Sequence, residues 1–151
     1  HKDRNDQTIN EIWLDNSPIP KNNIHFIKAE LGLLEARLEY ENTLKKIDKF
    51  DVVLLSMGDD GHIASLFPGH LYSKDADVIV EYNSPKLPNK RISISYRKLN
   101  KTHNVFKIIL GQPKRQAISL IFQGYDLPIN RVYGEVEKIF IHSSAIPIGG
   151  K

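Results

Sequence analysis

The run Asp51-Val-Val-Leu-Leu-Ser-Met-Gly-Asp-Asp-Gly-His-Ile-Ala-Ser-Leu-Phe-Pro-Gly69 constrains this chain more than any other segment. Val52, Val53, Leu54 and Leu55 form an aliphatic run without polar alternation, the pattern of a parallel strand covered on both faces. The run breaks into Met57-Gly58-Asp59-Asp60-Gly61, two glycines bracketing two carboxylates. His62 follows, where the chain can turn into a short helix. Open α/β sheets place their ligands at the carboxyl ends of strands, so a titratable side chain at this turn marks the candidate site.

The rest of the chain reads as strands alternating with helices. Ile9, Ile12 and Trp13 share one face of a predicted helix over 6–14, with Asp6 as its cap, and Pro18-Ile19-Pro20 ends it. Ile24 to Ile27 reads as a short strand. From Ala29 to Ile47 the leucines fall at helical spacing, with Glu41 and Lys45 as an i,i+4 pair. Further strands are expected at 51–57, 78–80, 91–96, 105–110 and 138–142. Pro113 suits the first turn of a helix that reaches Phe122, with Gly124 beyond its end, and Ile146 to Lys151 reads as a tail. This alternation predicts an α/β domain with a largely parallel sheet.

Composition narrows the function. At 151 residues the chain is one domain's worth, and 26% charged residues fit a globular domain better than a disordered one. The absence of cysteine excludes disulfides, thiolate chemistry and Cys-based metal sites. No apolar run approaches the ~20 residues of a membrane span. His1 to Asp6 is polar and unlike a signal peptide, so the expected setting is cytoplasmic. The formal charge of +3 comes from scattered doublets, Lys45-Lys46, Lys90-Arg91 and Lys114-Arg115, interleaved with acids. A nucleic-acid binder would show a basic stripe with aromatic platforms, so a small anion is the better-fitting partner.

Ser56 to Gly69 resembles the signature of the 6-phosphogluconolactonases, Gly-x-Gly-x-Asp-Gly-His-Thr-Ala-Ser-Leu-Phe-Pro, with Ser56 for the first Gly and Ile63 for Thr. The related glucosamine-6-phosphate deaminases share Asp-Gly-His but continue Ala-Phe-Asn-Glu-Pro. Ala64-Ser65-Leu66-Phe67-Pro68 sides with the lactonases. Asn83-Ser84-Pro85-Lys86, Pro88, Arg91-Ile92-Ser93, Gly111-Gln112-Pro113-Lys114 and Leu127-Pro128 resemble further family segments, while His142 stands where Asp is common. The family's opening Ser-Gly-Gly turn and Asp-Glu-Arg segment have no counterpart here, and Asn5 aligns just after them. Residues 1–151 are therefore expected to be the carboxyl-terminal two-thirds of a Rossmann-like three-layer domain lacking its amino-terminal strands. Strand 51–57 would then keep an open edge.

The resemblance implies hydrolysis of 6-phospho-D-glucono-1,5-lactone to 6-phosphogluconate, in the pentose phosphate pathway, without metal or organic cofactor. It also implies a phosphorylated sugar lactone as partner and, as in some protist members, fusion to or association with glucose-6-phosphate dehydrogenase. His62 would be the general base and then the general acid, the two tasks imidazole performs near neutral pH. Asp60 either orients that imidazole or caps the turn through the backbone N–H of His62 or Ile63. Asp59, Asp60 and His62 offer too few oxygen ligands for a hard cation. Family positions make Arg91 and Lys114 the phosphate holders, with Ser84 and Lys86 on the same rim. Gly58 and Gly61 let the turn approach the substrate. Two other readings remain open: an amino-sugar-phosphate isomerase or deaminase, and a non-catalytic sugar-phosphate-binding module within a larger protein.

Overall fold

The computed structural model describes residues 5–149; the polar start His1 to Arg4 and the end of the expected tail, Gly150 and Lys151, lie outside them. Three strands form a parallel sheet in the order β1-β4-β5: β1 Phe50–Ser56, β4 Thr102–Ile109 and β5 Val136–Ile141. Between them, β2 Val78–Glu81 and β3 Arg91–Ile94 make a separate antiparallel pair. Helices α1 Asn5–Ile12, α2 Leu33–Leu44, α3 Tyr96–Leu99 and α4 Arg115–Phe122 complete the order. Parallel strands need crossovers, and here 102–109 to 136–141 crosses through α4. The result is the expected α/β architecture, and β1 is an edge strand of its sheet.

The expectation that 52–55 is covered on both faces fails. Val53 and Leu55 are buried with Val105, Ile109, Ala117 and Ile118, whereas Val52 and Leu54 are 51% and 61% exposed. Successive side chains alternate faces, and the uncovered face also carries Val136 and Phe140. An aliphatic run fits either a two-sided or a one-sided strand, so the run alone did not distinguish them. The same openness recurs on α1, where Ile9 and Ile12 are exposed, and at Trp13 just beyond it.

Several local expectations shift. Residues 24–28 form no strand; they link short 3-10 turns at Lys21–Asn23 and Ala29–Leu31. The helix expected from Ala29 starts at Leu33, because Gly32 sits at φ +90°, outside the helical region. Asp6 lies inside the first turn of α1 rather than capping it. Glu41 pairs with Arg37 at 3.5 Å, while Lys45 reaches Asn42, so the expected Glu41–Lys45 pair is absent. Strand 91–96 stops at Ile94 because Ser95 caps α3, its hydroxyl accepting the Lys98 N–H. Lys98 in turn is buried and donates from Nζ to the carbonyls of Leu44 and Ile47, tying α3 to the end of α2. A 3-10 turn at Ser143–Ala145, with Ala145 buried, precedes the tail.

Candidate active site

The site begins where β1 ends. The Gly58 N–H donates to the His62 carbonyl at 2.8 Å and the Gly61 N–H to the Gly58 carbonyl at 3.3 Å, closing a tight turn. No helix follows: Ile63 and Leu66 form an isolated antiparallel bridge instead, with Ala64 at φ +47° between them. Gly61 sits at φ +87°, and a Cβ there would meet the Leu127 side chain at 2.6 Å. A Cβ on Gly58 would lie 2.1 Å from His62 Nδ1 and Cε1. The missing side chain at Gly58 thus leaves the imidazole its room.

Asp60 makes both contacts considered for it. Its Oδ1 accepts the His62 backbone N–H at 3.0 Å and lies 2.5 Å from His62 Nδ1. Burial acts to raise the Asp60 pKa, but the backbone N–H and the imidazole of His62 outweigh it and hold the carboxyl below its ordinary value. The His62 ring also lies against Phe67, with centroids 4.7 Å apart. Phe67 and Leu66 are fully buried, so Ser65-Leu66-Phe67-Pro68 builds the floor under the turn.

His62 lines a pocket of about 370 Å³ together with Ser56, Gly58, Asp59, Lys86, Pro113, Lys114 and Asn5. Lys114 arrives there because Gly111, at φ +94°, turns the chain out of β4 into the 3-10 turn Gln112–Lys114. Lys86 pairs with Asp59 across the pocket. Burial, then the charges of Lys114 and Arg91, lower its pKa from the ordinary lysine value. Lys86, Lys114 and Arg91 thus lie close enough for their charges to act on one another.

Gly61, Arg91 and Ser84, also expected to bind, stand outside this lining. Arg91 donates from Nε to the Pro88 carbonyl and from a terminal nitrogen to the carbonyls of Lys86 and Leu87, all at 3.0 Å. Its guanidinium carbon lies 5.4 Å from the Phe67 ring centroid. Ser84 is buried, its hydroxyl donating to the Lys86 carbonyl at 2.7 Å and accepting the Lys86 N–H. Arg91 and Ser84 shape the loop that presents Lys86. Ligating atoms of Asp59, Asp60 and His62 come within 4.8 Å of one another, but Asp59 is engaged by Lys86 and Asp60 by the imidazole.

Comparison with known proteins identifies the family. The family model described as glucosamine-6-phosphate isomerases/6-phosphogluconolactonase matches residues 1–141. The chain belongs to that family. It is 32% identical to the 6-phosphogluconolactonase of Thermotoga maritima over 139 residues, covering 90% of this chain and 62% of that protein. It is 33% identical to 6-phosphogluconolactonase 3, chloroplastic, of Arabidopsis thaliana over 134 residues, 78% of this chain and 41% of that one. The chain therefore spans between about two-fifths and three-fifths of these relatives' length. The crystal structure of the Thermotoga maritima 6-phosphogluconolactonase superposes with a TM-score of 0.83 at 29% identity, over 93% of this chain and 67% of that one. A monomeric glucosamine-6-phosphate deaminase superposes at 0.70 with 17% identity, over 91% and 64%, a likeness of fold alone.

Family membership leaves some neighbours of the site unexplained by sequence reasoning. Tyr72, Glu81 and His70 form a hydrogen-bonded cluster behind Phe67. The one signal in the sequence was a carboxylate, Glu81, at the end of the apolar run Val78-Ile79-Val80. A charge there must be exposed or paired, and Glu81 is buried.

Proposed function

We propose that this chain carries the catalytic part of a 6-phosphogluconolactonase, opening 6-phospho-D-glucono-1,5-lactone to 6-phosphogluconate. One observation carries the reading: the imidazole engaged by Asp60 through Nδ1 and the cation Lys114 line the same pocket. With Nδ1–H donated to Asp60, the lone pair falls on Nε2. Nε2 takes a proton from water as its oxygen attacks the lactone carbonyl carbon. The imidazolium formed is stabilised by Asp60, and returns the proton to the ring oxygen as the bond from carbonyl carbon to ring oxygen breaks. Lys114, with Lys86 beside it, holds the phosphate, while Arg91 and Ser84 act through the loop they brace. Gly58 and Gly61 serve the site by shaping the turn. No organic cofactor or metal enters this scheme.

A single partial domain over residues 1–151, a cytoplasmic setting and association with glucose-6-phosphate dehydrogenase are proposed on the family resemblance. The amino-sugar-phosphate isomerase or deaminase reading is less favoured because Ser65-Leu66-Phe67-Pro68 follows the lactonase pattern. The test is hydrolysis of freshly generated phosphorylated lactone, compared with its spontaneous opening. Acceleration is expected in the wild type and not in His62→Ala. Tight binding of 6-phosphogluconate without acceleration would instead favour a binding module.

A further inference from the structure

Glu81 ends β2 with its carboxylate inside the protein, 5% of the residue exposed. An unpaired charge there would be strongly destabilising, so its partners matter. Oε2 accepts from the Tyr72 hydroxyl at 2.8 Å and lies 2.7 Å from His70 Nδ1, while Oε1 accepts the Asn83 N–H at 2.7 Å. Burial would raise the carboxyl's pKa, but His70, the Asn83 N–H and Tyr72 outweigh it and keep it below the ordinary value. The Tyr72 oxygen then accepts the Phe67 backbone N–H at 2.9 Å. The second carbonyl within reach of the hydroxyl, that of Ser65, is farther away at 3.3 Å. Its one proton therefore goes to the carboxylate, and its lone pairs remain for Phe67.

Phe67 is 1% exposed, and its ring stands 4.7 Å from the His62 ring and 5.8 Å from that of His70. Backbone position and ring position are coupled in so tightly packed a residue. We propose that Tyr72 and Glu81 are positioning residues for His62, holding the Phe67 backbone so that its ring fixes the imidazole in the pocket. Asp60 sets the ring's tautomer from one side; the Glu81–Tyr72–Phe67 chain sets its place from another. The inference rests on the reading of His62 as the base.

The test compares the wild-type protein with Tyr72→Phe, which removes only the hydroxyl, and Glu81→Gln, which keeps shape and removes charge. His62→Ala identifies the His62 ring protons among the signals of the six histidines. In both variants the His62 ring-proton resonances are expected to move, because they sense the Phe67 ring current. Turnover should fall about fivefold to thirtyfold with KM changed less than about twofold, since Lys86 and Lys114 are untouched. Unmoved His62 resonances overturn the proposal, as does a KM rise that matches the loss of kcat. If Tyr72→Phe fails to fold, Glu81→Gln decides by the same resonances. Unfolding of both variants would show a purely structural network and overturn the proposal too. The resonances need no turnover, so an inactive wild type would refute the proposed lactonase while leaving this inference to be judged separately.

Discussion

The turn that carries His62 and the rim that carries Lys86 and Lys114 face the same pocket but are built differently. The turn is closed by backbone hydrogen bonds, by Asp60 on both the backbone and the ring, and by the packing of Gly58 and Gly61 against neighbours. The rim is held by charge: Lys86, 39% exposed at its side chain, pairs with the more exposed Asp59. Exposed pairs contribute little to stability and are screened by salt. The difference teaches a division of labour. In the proposed lactonase, packing fixes the group that transfers the proton, whereas the more exposed cations meet the phosphate.

That division can be broken most decisively at the turn. His62→Ala should lower turnover by about two to four orders of magnitude with the circular dichroism spectrum unchanged. A loss under tenfold would remove His62 from the chemistry. Gly58→Ala places a Cβ inside the imidazole's space, so the ring must move. Its kcat should fall about tenfold to a hundredfold, with KM nearly constant, in steady-state kinetics on the phosphorylated lactone. A KM effect of equal size would show that the turn also binds substrate.

The rim should respond the other way. Lys114→Ala is expected to weaken 6-phosphogluconate binding by about tenfold, measured by calorimetry, and to leave an unphosphorylated lactone unaffected. Equal losses on both would assign Lys114 to fold or chemistry. Raising salt should likewise increase KM and spare kcat.

The smallest effect concerns acid stability. Asp60 has a lower pKa in the folded state, so its contribution is present above the unfolded carboxyl value and lost as pH falls through the folded one. Between about pH 5 and pH 3 the wild-type melting temperature should therefore drop further than that of Asp60→Asn. Parallel curves would mean that His62 does not stabilise the Asp60 carboxylate.

The two regions also differed in how legible they were. A glycine-bracketed turn after an aliphatic strand announces its geometry locally, so His62, Asp60 and the end of β1 could be located from sequence. The α/β alternation was equally local. What stayed unread depended on packing and loop geometry, which neither periodicity nor motif spacing encodes. Whether Val52 and Leu54 are covered depends on which layers pack on that face, and an aliphatic run does not encode that. Arg91 has the right chemistry for phosphate; that its Nε and one terminal nitrogen also brace the 86–88 loop is a geometry invisible in spacing. Ser84 likewise turns inward to that loop. Tyr72 and Glu81 went unnoticed because no motif marks the hydrogen bonds that link Glu81 to Tyr72 and Tyr72 to the Phe67 backbone.

In the proposed mechanism Asp60 holds the Nδ1–H form of His62 and leaves Nε2 as the base. Nitrogen-15 NMR of the imidazole, assigned with His62→Ala, reads this directly. At neutral pH a protonated Nδ1 and an unprotonated Nε2 are expected for His62, with the preference weakened in Asp60→Ala. A His62 ring carrying its proton on Nε2 in the wild-type protein would contradict it.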